Sequence, residues 1–486
     1  MDIKQIVDKI PDYGAFLTVE EMDESSRKLA DQYPNVVVLF EAGVSRQGHP
    51  ILGLKIGNGP LNALCFACPH PNEPIGAMTM EFFSRELAEN KALRDELGFT
   101  WYIIKCIDPD GVRLNEGWFK GPYSIYNYMK HYYRPIGYEQ VEWTFPIDYK
   151  ELHFHDSLPE TKALMNIMDE TSPAFMYSLH NAGFGGAYWY ISKDMPELYD
   201  ALHRSASRQE VALNLGEPEA PYLTEFAPAV FQTMSARQEY DYTEQNTGRP
   251  PAAYSCGTSS GDYASSVNPD CVTLLTELPY FFDARVQDLS EADITRREAI
   301  YQNVDMCNIF FAELESMLEE ARPYINRDGN NPFIKLVDQS LRMVGEIGEA
   351  KKSWADSQTS FNKPAKVAHV FDNLLTAKFY NGLALGLAVR SCEFELKRFE
   401  SSGDAVAIER LEQARRNGAA MLVRLCEELE EELHYSVIPI RKLVSVQVES
   451  GLIVAAHISG QRQAAGSHIP TADLTADAIE VEMRRT

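Results

Sequence analysis

The chain has 486 residues, 45% hydrophobic and 24% charged, an ordinary balance for a globular protein with a large core and room for two domains. Its formal net charge of −26 argues against nucleic acid and anionic membranes as partners, because their phosphates need Lys and Arg. Continuous apolar runs stay short of the 18 residues that would predict a membrane-spanning helix.

The first residues, MDIKQIVDKIPDYG, mix charge with apolar side chains and lack a signal-peptide core, so a cytoplasmic location is expected. Residues 19–32 predict a helix capped by Thr18, with Glu20 and Glu21 in its first turn. Val36 to Phe40 and Ile51 to Ile56 predict strands joined across Ser45-Arg46-Gln47-Gly48. Leu61 to Cys68 predicts a buried strand and Ile75 to Asn90 an amphipathic helix. Thr100 to Ile107 predicts another buried strand, ended by the turn Asp108-Pro109-Asp110-Gly111. Residues 112–150 are irregular and rich in Tyr and Trp. A helix is expected from Pro159 to Glu170, then strands at Phe175–Leu179, Tyr188–Ile191 and Cys271–Thr276. Alternating strands and helices imply an α/β class with a mostly parallel sheet.

The character changes at residues 322–332. From 333 to 459 the pattern is helical, with one leucine-rich stretch at 374–387 and another at 411–433. A domain of residues 1–325, a helical extension at 333–459 and a mobile tail at 460–486 are expected. The extension carries no recognisable chemistry; packing on the first domain is one expectation for it and homo-oligomerisation the other. The eight Cys residues mostly fall in apolar segments and are expected as reduced thiols. Cys65 and Cys68 have the spacing of a redox or metal pair, but three residues apart on a strand they point to opposite faces.

The most informative segment is Cys68-Pro-His70-Pro-Asn-Glu73-Pro-Ile-Gly76. It sets an imidazole and a carboxylate three residues apart on the loop leaving a buried strand. Zinc takes both atom types, and a catalytic site needs three protein ligands with one position left open. One short loop cannot wrap the ion, so the third ligand is expected from afar. His180, in Ser178-Leu179-His180-Asn181 ahead of Gly183, Gly185 and Gly186, is the best candidate. Open α/β sheets place their sites at such strand ends.

Taken together, the motifs resemble the zinc metallocarboxypeptidase family, the carboxypeptidase A-like group, over roughly residues 20–300. Val44-Ser-Arg-Gln-Gly-His-Pro-Ile51 is similar to an early hairpin of that family, and His70-Pro-Asn-Glu73 to its zinc pair. Asp108–Gly111 resembles N-P-D-G, Ser157–Thr161 resembles S-E-P-E-T, and Ser178–His180 resembles the third-ligand segment. Tyr254 resembles the family's substrate-covering tyrosine, and Gly257–Asp262 resembles the loop after that tyrosine. Glu277 falls where the family keeps its general base. The resemblance implies an α/β/α sandwich with a mixed, mostly parallel sheet, one Zn2+ per chain held by His70, Glu73 and His180, and amide-bond hydrolysis. Glu277 would take a proton from water and pass it to the leaving nitrogen.

Four features depart from the family pattern. The Asn-Arg pair that grips a terminal carboxylate falls here on Glu142 and Trp143. Glu142 is therefore expected either to face a cationic, amide or hydroxyl group of the substrate, or to be turned away or support His70. The transition-state arginine has two candidates, Arg113 and Arg134, of which Arg134 is preferred. Ala182 replaces a tyrosine, and Gly261 leaves space where the family often sets pocket polarity. The expected activity is carboxypeptidase-like cleavage of a small peptide or modified amino acid. A small-molecule amidohydrolase or deacylase of the aspartoacylase-related type is the alternative, and a non-catalytic binding protein on the same fold the third reading.

Overall fold

The computed structural model describes residues 2–246, 256–326 and 329–466. Nine strands make its main sheet: β1 Val37–Val44, β2 Pro50–Ile56, β3 Leu61–Ala67, β4 Phe99–Ile104, β5 Phe175–Leu179, β6 Tyr188–Ile191, β7 Glu225–Ala227, β8 Val230–Gln232 and β9 Val272–Glu277. Their spatial order is β1-β2-β4-β3-β5-β9-β6-β8-β7. The sheet is mixed. Its centre, β4-β3-β5-β9, is parallel, while β1, β2 and β7 pair antiparallel and β6 runs antiparallel to β9. The central strands are the continuous apolar ones. All five residues of β5 are buried, as both faces of a parallel strand require.

Helices cover both faces. The helix Val19–Gln32 starts with a full capping box, Thr18 and Glu21 bonding each other's backbone. With Ile75–Glu89 it lies on one face; Pro159–Thr171 and Ser260–Val267 cover the other. The aromatic stretch after residue 112 forms short helices, 3-10 turns and a small hairpin, Ile147–Tyr149 with Leu152–Phe154.

The packing does not follow the boundaries expected at 325 and 459. The helical region begins earlier, because Arg296–Leu318 packs on Ile334–Ser357 and Ala377–Ser402. It also loses its last member. Ile440–Gly466 leaves the hairpin of Ala377–Ser402 and Ala405–Glu432 and returns to the sheet, against β5, β9 and Ile75–Glu89. Helical periodicity shows that a face is apolar, not which partner covers it. This helix is long and apolar enough to cross a bilayer over Ile440–Gln461, yet 78% of its most apolar window is buried within the protein. The expected tail begins inside this helix, and residues 467–486 lie outside the described ones. Cys65 and Cys68 are buried free thiols.

Candidate metal centre and active-site cleft

The loop after β3 turns sharply at Cys68, a non-glycine residue in the left-handed region (φ 57°). The turn sets His70 and Glu73 at the carboxyl end of the parallel strands. Gly76, in the next helix, lets that helix close on β5. A Cβ there would sit 2.6 Å from Leu179 Cβ. β3 and β5 are parallel neighbours, Ala67 beside Leu179, so His180 emerges next to the first loop. Asn181 stitches the two segments together. Its N–H donates to Glu73 Oε2 at 3.2 Å, and its Oδ1 accepts from Ile75 N at 3.0 Å.

One ligand atom from each of His70, Glu73 and His180 lies within 4.8 Å of the others, and all three residues are buried. Glu73 Oε1 is 3.1 Å from His70 Nδ1, and its Oε2 is 3.0 Å from His180 Nδ1. The two Nδ1 atoms are 3.2 Å apart. Two imidazole nitrogens and a carboxylate meeting at one point are the donor types that zinc takes. Donor atoms gathered at this range fit a shared cation once the His70 Nδ1 lone pair is free.

The surroundings orient the ligands. His180 Nε2 lies 2.8 Å from Ser178 Oγ, which itself donates to Glu142 Oε2 at 3.2 Å. Nε2 therefore carries the hydrogen, and Nδ1 is the atom turned to the centre. Burial disfavours a charge on His180, but Glu142 and Glu73 outweigh it and push its pKa up to about 10. His70 goes the other way, down to about 4, through burial and then the charge of Arg134, with Glu73 opposing. Arg134 reaches in from the cleft wall. It bonds Glu73 Oε1 at 3.1 Å and His70 Nε2 at 3.0 Å. A guanidinium only donates, so His70 Nε2 is the acceptor here, and ligation through Nδ1 requires the other tautomer and the release of Arg134.

Glu277 ends β9 with its Oε1 3.8 Å from His180 Nδ1. Burial, then the charge of Glu73, raises its pKa well above the usual carboxylate range. A cavity of about 200 Å³ opens over these groups, walled in part by Trp143, Ala182 and Gly261, and by Tyr380 and Leu383 of the helical region. The extension therefore contributes directly to the cleft.

Three expectations need correction or restriction. Arg113 is outside the cleft; it points to the Val19–Gln32 helix and bonds Glu20 at 2.7 Å and His49 Nδ1 at 2.8 Å. Glu142 lines the cavity but has both carboxylate oxygens engaged by neighbouring serines. The 3-10 turn Val141–Trp143 turns it inward, where Oε1 accepts Ser260 N and Oγ at 3.0 and 2.7 Å and Oε2 lies 3.7 Å from His180 Nε2. It thus supports His180, not His70. Tyr254 lies outside the described residues.

Several recognisable motifs prove structural. Ser45, Arg46 and Gln47 of the hairpin meet both the Asp108–Gly111 turn and the Ser157–Thr161 segment. Ser45 Oγ and Gln47 N donate to Asp110, while Arg46 binds Glu160 at 3.1 Å and Asp108 at 3.4 Å. Other contributors left no motif. Gln447, a buried amide in the apolar last helix, donates to His180 O at 2.9 Å and accepts from Thr79 Oγ1 at 2.7 Å. Its polar side chain amid apolar neighbours was the available signal.

A buried two-His, one-carboxylate centre with a further glutamate, set at the carboxyl edge of an α/β sheet, has the donor types of a metallohydrolase site. The sequence matches the zinc carboxypeptidase family over residues 22–281, and the chain belongs to that family. Zinc carboxypeptidase A 1 of Anopheles gambiae is 29% identical over 120 residues, 22% of this chain and 27% of that protein. The match thus spans about a quarter of that relative's length. Among solved structures, carboxypeptidase A of Helicoverpa armigera aligns with 16% identity and a TM-score of 0.37, covering 57% of this chain and 69% of that one. Bovine thrombin-activatable fibrinolysis inhibitor aligns with 14% identity and a TM-score of 0.36, covering 54% and 86%.

Proposed function

We propose that the protein is a zinc-dependent hydrolase of an amide bond in a small peptide or modified amino acid. The observation that carries this reading is the convergence of His70, Glu73 and His180 with Glu277 Oε1 3.8 Å from His180 Nδ1. When bound, zinc polarises a carbonyl and acidifies water. Glu277 stands at the cleft floor as the base that takes the proton of the attacking water and returns it to the leaving nitrogen. Arg134, freed from His70 Nε2, provides a positive donor for the developing oxyanion. Burial of the centre strengthens these charge interactions.

One observation favours the small-amide alternative over C-terminal trimming. Glu142 is consumed by Ser260 and Ser178, Trp143 offers no charge, and Arg134 is the cleft's only Lys or Arg among the described residues. A dedicated grip for a terminal carboxylate is therefore missing from this wall among the described residues. Gly261 leaves room, since a Cβ there would meet only ordinary contacts at 3.5 Å or more. The test is hydrolysis of matched peptides, one ending in a free carboxylate and one in an amide. Equal or better cleavage of the amide supports the small-amide version; strong preference for the acid supports carboxypeptidase action, with Arg134 as the grip. No turnover of either by the zinc-loaded protein contradicts amide hydrolysis.

A further inference from the structure

Glu219 belongs to none of the motifs above, yet the sheet fixes its place in the cleft. β6 runs antiparallel to β9 with Tyr188 opposite Glu277 and Tyr190 opposite Leu275. Facing residues put their side chains on one side, about 4.5–5.5 Å apart at Cβ, and residues two apart share that side. The two phenols therefore stand in a row beginning beside Glu277. Both hydroxyls donate to Glu219, Tyr188 to Oε1 and Tyr190 to Oε2, the latter at 2.8 Å. The rings are buried, 6% and 1% exposed, while Glu219 itself remains exposed. Burial and the Glu219 charge raise both phenol pKa values well above normal, so they stay donors.

A carboxylate group offers about four acceptor positions, and the two phenols fill two. No Lys or Arg among the described residues is within ion-pair distance of Glu219. Arg134 feels the charge of Glu219 across the cleft but makes its ion pair with Glu73, at 3.1 Å. The cleft thus holds an anchored carboxylate whose remaining lone pairs have no Lys or Arg in contact among the described residues.

We propose that Glu219, oriented by Tyr188 and Tyr190, determines specificity by binding a positively charged group of the substrate, an ammonium or guanidinium, beside the scissile amide. The assignment rests on the amide-hydrolase reading above. A charge-assisted bond of this kind is worth about a 10- to 100-fold preference.

The experiment compares wild type, Glu219→Gln and Glu219→Arg on N-acetylated dipeptide amides carrying Lys, Gln or Glu on either side of the scissile bond. Binding of the same compounds to zinc-loaded Glu277→Gln protein, with and without Glu219→Gln, is measured by calorimetry. The expected result is preference for Lys compounds, a Lys-to-Gln ratio of kcat/KM that falls about 10- to 100-fold in Glu219→Gln, and a shift toward Glu compounds in Glu219→Arg. An unchanged ratio overturns the proposal. If no compound is hydrolysed, the amide-hydrolase reading fails and calorimetry decides: Lys compounds that bind only when Glu219 is present support the assignment. Binding that ignores Glu219, or no binding of any cationic compound, overturns it.

Discussion

Ser260 donates both its backbone N–H and its hydroxyl to the same oxygen of Glu142, at 3.0 and 2.7 Å. These two hydrogen bonds to Oε1 leave Oε2 for Ser178 and the back of His180, so Glu142 acts on the ligand. Groups that hold a metal-binding imidazole commonly change affinity about 10- to 100-fold when removed. Glu142→Gln should weaken zinc binding by about that factor in a chelator competition, without changing the preference between free-acid and amide substrates. Altered preference with unchanged zinc affinity would return Glu142 to the substrate.

The two candidate arginines should separate cleanly. Arg134 faces the metal ligands, whereas Arg113 is tied to Glu20 and His49 at the surface. Removing one oxyanion donor costs about 10²- to 10³-fold in kcat. Arg134→Gln should lose activity on that scale, and Arg113→Gln should leave kcat and KM near wild type. Steady-state kinetics of the two variants checks this.

Gln447 couples the last helix to the third ligand. Replacing it by Leu strands the Thr79 hydroxyl and withdraws the donor from His180 O, both in the interior. An unmade buried hydrogen bond costs about 1–3 kcal/mol. Gln447→Leu should destabilise by about that amount in denaturant unfolding and should also reduce zinc affinity. A purely stabilising substitution would show that the helix merely covers the sheet.

Asp108 gives a pH signature away from the metal. Burial pushes its pKa up to about 6; Arg46 and Gly111 N oppose this without cancelling it. A carboxyl with a raised folded pKa helps folding below its unfolded value, near 4, and loses that contribution as pH rises through 6. About two units correspond to about 3 kcal/mol. The stability of Asp108→Asn relative to wild type should therefore rise by up to about 3 kcal/mol between pH 4 and pH 7, measured by urea unfolding at each pH. A flat difference would show that Arg46 fully offsets the burial.

The candidate metal ligands were legible because chemistry restricts them to a few residue types, and the strand ends bring His70, Glu73 and His180 within reach of one another. Central strands were legible because burial on both faces leaves an unbroken apolar run. Direction and partner were not. Nothing local told Glu142 to turn toward Ser260, Arg113 to reach Glu20, or Ile440–Gly466 to return to the sheet. Glu219 was hidden for the same reason. Its place follows from the pairing of Tyr188 with Glu277 between strands more than 80 residues apart.

The most direct test of the account pairs metal content with turnover in wild type and Glu277→Gln. Glu277 lies beside the ligands without joining the convergent set, so the variant should bind one zinc with wild-type affinity. It should hydrolyse the best amide substrate about 10²- to 10⁴-fold more slowly, the usual worth of a general base. Undiminished hydrolysis by the variant, or a wild type that hydrolyses equally well after zinc is stripped, would contradict the account.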